Sequence, residues 1–199
     1  MNQELPFSQA AENNKAPIQE ILDRHLPGAE SLLEIGSGTA QHAVAFAQRY
    51  PKLVWQCSDI PLSVSNVNRR IEAAQLSNLP LAIPLDVTQP SWPEQKFNTV
   101  YTANSLHIMS AESVEQFFSK VGAIVNKGGK LLIYGPFKYG GEFTTESNAR
   151  FDLWLKDQNP HSGIRDFEWV NELATATDFD FEEDNAMPAN NQFLVWSRR

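Results

Sequence analysis

The sequence predicts an α/β fold in one domain over residues 1–199: a seven-stranded, mostly parallel sheet with helices on both faces and an antiparallel C-terminal strand. Three observations predict it. Short apolar runs bounded by glycine or proline alternate with segments of helical spacing. The connections between the early runs are long enough to return the chain parallel to itself. The last two apolar runs have no helix between them, which predicts an antiparallel pair at the sheet edge.

Residues 1 to about 15 are polar and read as irregular, a flexible or lid-like segment. Ala16 to Leu26 carries Ile18, Ile21, Leu22 and Leu26 at helical spacing, and Pro27-Gly28 stops it. Ser31 to Ile35 is the first strand and Gln41 to Tyr50 the next helix. Leu53 to Cys57 is strand two, and Leu62 to Leu76 a helix with Val64, Val67 and Ile71 on one face. Leu79 to Leu85 is strand three, placed at an edge by Pro80 and Pro84. Phe97 to Ala103 is strand four, and Ala111 to Val125 a helix whose buried stripe is Val114, Phe117, Phe118, Val121 and Val125. Lys127-Gly128-Gly129 turns into strand five, Lys130 to Tyr134. Asn148 to Lys156 and Phe167 to Thr175 read as helices, Phe179 to Glu183 and Gln192 to Ser197 as the final strands.

The formal charge of −8 disfavours a nucleic-acid partner, because an acidic surface repels phosphates. The pairs Arg69-Arg70 and Arg198-Arg199 read as solvated. No apolar run approaches the ~20 residues that span a bilayer, and the first residues lack the basic start and apolar run of a signal peptide. Cys57 is the only cysteine. The four histidines show no ligand spacing, so no metal is expected. A cytoplasmic location is the simplest expectation; the oligomeric state is open.

The chemistry begins at Glu34-Ile35-Gly36-Ser37-Gly38-Thr39-Ala40-Gln41, where a strand ends in a tight turn and a helix starts. Such a turn at the carboxyl edge of a sheet binds ligands through close backbone approach and helix N–H groups. A dinucleotide turn needs a third small residue where Gln41 stands. Glu34 would repel a pyrophosphate but suits a cation, such as the sulfonium and amino group of S-adenosylmethionine. That cofactor, leaving as S-adenosylhomocysteine, is therefore preferred, against a plain turn without ligand. Asp59, after strand two, reads as an acceptor for the ribose hydroxyls or as a turn aspartate. Asp86, after strand three, reads as a partner of the adenine amino group with the Val87 N–H beside it, or as a surface acid.

Over nearly its whole length the chain resembles class I methyltransferases, with their Rossmann-like sheet. More narrowly it resembles a methyltransferase-like family described as a domain of unknown function. The stretches that carry this are Asn14-Lys15 with Pro17-Ile18, Leu33 to Thr39 with Gln41-His42-Ala43, Ser58-Asp59 and Leu85-Asp86-Val87-Thr88. Further stretches are Tyr134-Gly135-Pro136, Ser147-Asn148 with Phe151-Asp152, Asn159-Pro160 with Arg165-Asp166, and Met187 to Asn191. The resemblance implies a cofactor set of Asn14, Lys15, Glu34, Gly36, Ser37, Gly38, Thr39, Gln41, Asp59, Asp86, Val87 and Asn104. It supplies no methyl acceptor. Asn13 stands where arginine is common, and Ala40 where glycine is common.

Methyl transfer asks a protein mainly to align its reactants. Strand four ends at Asn104 and His107, which face the acceptor in this reading; His107 reads equally as a helix-start histidine. Tyr134 reads as a pocket wall or as core. Asn148, Phe151, Asp152 and Leu155 share one helix face, which closes an acceptor pocket with Asp152 orienting or deprotonating the acceptor, unless Asp152 is a solvated helix acid. Asn190 and Asn191 read as turn residues or as the pocket rim. The expected catalytic set is thus Asp152, His107 and Tyr134, the acceptor set Asn148, Phe151, Asn190 and Asn191, and the acceptor a small molecule. The rival readings are a non-catalytic binder of S-adenosylmethionine or S-adenosylhomocysteine and, less favoured, an NAD-dependent oxidoreductase.

Overall fold

A computed structural model describes residues 4–199. Its main sheet has seven strands in the order β3-β2-β1-β4-β5-β10-β9. The strands are β1 (Ser31–Ile35), β2 (Val54–Asp59), β3 (Ile83–Pro84), β4 (Phe97–Ala103), β5 (Val125–Gly135), β9 (Phe179–Met187) and β10 (Asn191–Arg198). β1 pairs in parallel with β2 and β4, while β10 runs antiparallel to both β5 and β9. The predicted mostly parallel sheet with one antiparallel C-terminal strand is the observed one.

Alternation along the central strands builds two cores. Leu33, Ile35, Val100, Leu131, Ile133, Leu194 and Trp196 face one side, under α4 (Ala111–Ile124) and α6 (Phe167–Ala176). Leu32, Tyr101, Leu132, Tyr134, Phe193 and Val195 face the other, under α1 (Gln9–His25), α2 (Gln41–Arg49) and α3 (Val64–Ala74). The chain leaves β1 toward β2 and later returns beside β1 as β4, so the strand order reverses between β1 and β4. That reversal opens a crevice at their carboxyl ends.

The structure corrects several expectations. Residues 9–15 are not irregular: they form the first turns of α1, capped by Ser8, whose Oγ accepts from Ala11 N at 3.2 Å. Residues 1–3 of that predicted segment lie outside the described residues. Strand three shrinks to Ile83–Pro84, since neither Pro80 nor Pro84 has an N–H to give a ladder. A second, three-stranded sheet was not foreseen: β6 (Phe137–Tyr139) between β7 (Glu142–Phe143) and β8 (Arg165–Asp166). It leads into and out of α5 (Glu146–Gln158).

The arginine pairs are not simply solvated. Arg198 donates to the carbonyls of Gly122 and Asp178 at 3.0 Å each, tying β10 to α4. Arg70 donates to the carbonyls of Thr39 and Pro6, holding the chain before α1 against the glycine turn. No helix of the described residues is long and apolar enough to cross a membrane.

One side chain closes the connection from α2 into β2. Asn78 Nδ2 lies 2.9, 3.1 and 3.0 Å from the carbonyls of Ala47, Tyr50 and Leu53. Its two hydrogens serve three carbonyls at the end of α2 and in the connection that follows it. Asn78→Asp would place a carboxylate against those carbonyls. It is expected to cost about 3 kcal/mol, more than Asn78→Ala, as read from urea unfolding midpoints.

Candidate active site

The turn after β1 is sewn to β2 from both sides. Gly36 N and Ser37 N donate to Ser58 O at 3.0 Å, and Ser58 Oγ donates back to Glu34 O at 2.7 Å. Gly36 has φ +75°, and a Cβ there would sit 2.6 Å from Ser105 Oγ. Glycine is needed for both reasons. Ala40, where the resemblance expected glycine, adopts φ 55° at the start of α2. The turn survives the substitution, with alanine in the left-handed region that glycine fills at less cost.

Glu34 is 2% exposed. Its Oε2 accepts from Ser37 Oγ and Trp55 Nε1, each at 3.0 Å, and from the Cys57 thiol at 3.6 Å. Burial pushes its pKa up to about 7, although those donors favour the ionised form. Glu34 borders a cleft of about 240 Å³ with Gly36, Ser37, Gly38, Thr39 and Gln41, the start of α1 at Ser8 and Ala11, and the β4 end at Asn104 and Ser105.

Gln41, too large for a dinucleotide turn, has a definite role. Its Oε1 accepts from Ser8 N at 2.6 Å and Thr39 Oγ1 at 3.0 Å, and its Nε2 donates to Ser8 O and Glu12 Oε2 at 3.3 Å. It locks the start of α1 over the glycine turn.

A second hollow, about 160 Å³, lies across the β2 and β3 ends and holds Asp59, Asp86, Val87 and Ile60 with Gly36. Asp59 accepts from Gly38 N at 2.7 Å through Oδ2 and from Ile60 N at 2.8 Å through Oδ1, so each oxygen keeps a lone pair. Asp86 Oδ1 accepts from Thr88 N at 2.9 Å and Thr88 Oγ1 at 2.8 Å, leaving Oδ2 open.

The third cleft, about 370 Å³, opens between α1, the strand ends and α5. Ala10, Asn13 and Asn14 come from α1, Asn104 from the β4 end, and Tyr134 and Pro136 from β5. Ser147, Asn148 and Phe151 come from α5, and Pro188, Ala189 and Asn191 from the turn between β9 and β10. Among the described residues, Asn104 alone borders both this cleft and the one beside Glu34.

A buried network, missed by sequence reasoning, positions Tyr134. His42 Nε2 faces two acceptors, Ala11 O at 3.1 Å and Asn14 Oδ1 at 2.6 Å, so it carries the proton. Nδ1 then accepts from the Tyr101 hydroxyl at 3.3 Å. Burial pushes the His42 pKa down to about 4, so the ring is neutral. With its oxygen taken, Asn14 is left to donate to the Tyr134 hydroxyl, whose pKa burial raises despite that bond. The signal was present: His42 follows Gln41 on a buried helix face that continues with Ala43, Phe46 and Ala47.

Of the expected catalytic residues, Tyr134 borders the third cleft and Asp152 and His107 do not. Asp152 is 3% exposed but turned away from the third cleft. Its Oδ1 accepts from Ile164 N at 2.7 Å, and its Oδ2 pairs with Lys156 Nζ at 2.6 Å. Asp152 thus ties α5 to the loop that follows it. His107 also does not border that cleft. It is buried edge-on against Phe151, ring centroids 5.4 Å apart, with its pKa pushed down to about 4 by burial and then by Arg165. Lys15 pairs with Glu12 at 2.7 Å and borders none of the three hollows. Asn190 contributes its backbone carbonyl rather than its side chain.

Solved structures share this architecture at low sequence identity. An O-methyltransferase family protein from Burkholderia thailandensis superposes with a TM-score of 0.83 at 16% identity, covering 95% of this chain and 57% of that one. Human N-acetylserotonin methyltransferase in complex with SAM gives 0.77 at 16% identity, covering 96% and 53%. An L-tyrosine C(3)-methyltransferase from Streptomyces lavendulae is 29% identical over 117 residues, 59% of this chain and 31% of that protein. The chain thus spans about a third of that curated relative and little more than half of the two solved neighbours. The fold is that of the class I methyltransferases, and the match of residues 5–198 to the model of one family shows that the chain belongs to the family described as protein of unknown function DUF938.

Proposed function

We propose that this protein is an S-adenosylmethionine-dependent methyltransferase acting on a small-molecule acceptor. The observation that carries the reading is the buried carboxylate of Glu34 beside the glycine turn. It lies in a line of hollows that Asn104 joins to a separate, larger cleft. A carboxylate held near neutral pKa in a dry site answers a cationic ligand and opposes a phosphate. In this reading Gly36, Ser37, Gly38, Thr39 and Gln41 seat the methionine part, with Glu34 toward its cationic end. Asp59 retains lone pairs for the ribose hydroxyls, and Asp86 with the Val87 N–H meets the adenine. The cofactor, when bound, supplies an activated methyl group.

The chain's own part is then alignment and exclusion of water. The N-terminal segment, held by Gln41 and Arg70, roofs the cofactor hollow. Asn104 stands where the two clefts meet and orients both partners. Tyr134, neutral and fixed by Asn14, is the protic group of the acceptor wall. None of the described residues lining the larger cleft is a carboxylate or an imidazole. The reacting atom of the acceptor must therefore carry its own lone pair at neutral pH.

Titration calorimetry is expected to give binding of S-adenosylmethionine and none of NAD; the reverse would overturn the reading. A cation beside Glu34 favours its ionised form, so binding near pH 6.5 should release protons. Buffers of different ionisation heat reveal that release, and Glu34→Gln should abolish it.

Glu34 also sets a pH dependence on the free protein. Its folded pKa, about 7, lies above the ordinary 4.5. Between these values the native chain holds the proton more tightly than the unfolded one, so stability falls as pH rises through the window. Glu34→Gln should remove that loss, gaining about 3 kcal/mol over wild type at pH 8 and little at pH 4.5, as followed by denaturant melts.

Asp152→Ala should lower stability by about 2 kcal/mol, since the Ile164 N–H loses its partner. Cofactor affinity should stay near wild type, as thermal melts and calorimetry together would record.

A further inference from the structure

The larger cleft carries more information about its ligand than its size. Asn148 is 4% exposed, on the wall formed by α5. Its Nδ2 donates to Thr144 Oγ1 at 2.9 Å and to the carbonyl of Asn190 at 3.0 Å. A carbonyl can only accept, so the amide cannot flip without losing that bond. Both hydrogens are used, and Oδ1 is left without a partner among the described residues.

Asn191, in the turn whose Asn190 carbonyl Asn148 meets, repeats the arrangement. Its Nδ2 lies 3.1 Å from Pro188 O and 3.3 Å from Ala189 O, again two pure acceptors. The group left for a ligand is once more Oδ1. Two amides are thus turned by the carbonyls of one turn so that each offers an oxygen.

Phe151 sets the shape. It is stacked on Trp154 with centroids 5.7 Å apart and interplanar angle 12°, and His107 meets it edge-on. Held from two sides, it gives the cleft a fixed aromatic wall, with Pro136 and Pro188 as further apolar surface.

We infer that this cleft takes a ring-bearing, non-anionic molecule whose N–H or O–H groups donate to Asn148 and Asn191. A carboxylate or phosphate placed against Asn148 and Asn191 would face two fixed oxygens, with no cation among the described lining residues to offset them. The inference rests on the proposed function only in calling that molecule the methyl acceptor; the donor preference belongs to the cleft itself.

Ligand-observed NMR on the full chain with S-adenosylhomocysteine present tests it. The probes are fragment pairs of matched shape: benzamide with benzoate, nicotinamide with nicotinate, and phenylacetamide with phenylacetate. The amides are expected to bind at least about tenfold more tightly than their carboxylates. Asn148→Leu and Asn191→Leu should each erode that preference. Asn191 is the less buried of the two, so its variant keeps the test available if Asn148→Leu fails to fold. Equal or better binding of the carboxylates, no binding of any fragment at millimolar concentration, or a preference that survives both substitutions would overturn the inference. Calorimetry with S-adenosylhomocysteine on the same proteins separates the two proposals. Amide preference without that binding would sink the methyltransferase reading alone, and binding without the preference would sink this one alone.

Discussion

The structure depends on one buried carboxylate at the end of β1. Glu34 closes β1, and its buried oxygen gathers Ser37 from the turn and Trp55 and Cys57 from β2. Those donors offset part of the cost of burying a charge, and the raised pKa measures what they do not offset. An apolar residue there would pack without that cost. It would also leave the Trp55 indole N–H unmet and the glycine turn without its inward anchor. The same interaction that shapes the turn therefore leaves a charge waiting to form when a cation arrives.

The second constraint is the docking of α1. Gln41, Arg70 and the His42 ring all take hold of the chain between Pro6 and Asn14. None of these is an apolar contact of the kind that holds Ile18 and Leu22 farther along the helix. The N-terminal half of α1 is held by polar groups of the glycine turn and of α2, whereas its C-terminal half is held by the core. Through Asn14 the same segment reaches Tyr134, so one helix end contributes to both the hollow beside Glu34 and the larger cleft.

How much of this was legible follows from where each signal sits. β1 and β4 match their predicted bounds because each is an apolar run closed by its own local break, and the glycine turn is readable because its conformation is local. The first turns of α1 were not readable. Gln9 to Lys15 is almost wholly polar, and the apolar periodicity begins only at Ile18; the residues earlier in the helix are fixed by partners more than twenty positions away. The second sheet was invisible because strands of two or three residues have no period. Asp152 shows a subtler limit. Its spacing correctly placed it on one helix face with Asn148 and Phe151, and all but Phe151 are fully buried. Spacing gives the face and not the direction, and here the face spans both the cleft and the loop at Gly163–Ile164.

The two halves of the site are written in different ways, and this bears on what the protein can recognise. The proposed cofactor half follows sequence order, with a glycine turn after β1 and an acid at each of three successive strand ends. The acceptor half is assembled from α1, β5, α5 and the turn at Pro188 to Asn190, and no two of these are adjacent in the chain. Its selectivity comes from which atoms of an amide the neighbouring carbonyls have already consumed. An asparagine in a sequence is both donor and acceptor; only the backbone around it decides which it presents. Residues Ala189 and Asn190, with φ of 57° and 58°, curl the turn so that the carbonyls of Pro188, Ala189 and Asn190 face the two amides. A turn that looks merely structural therefore sets the hydrogen-bond polarity of the cleft. Change in that turn would alter the choice of ligand while leaving every cofactor residue in place.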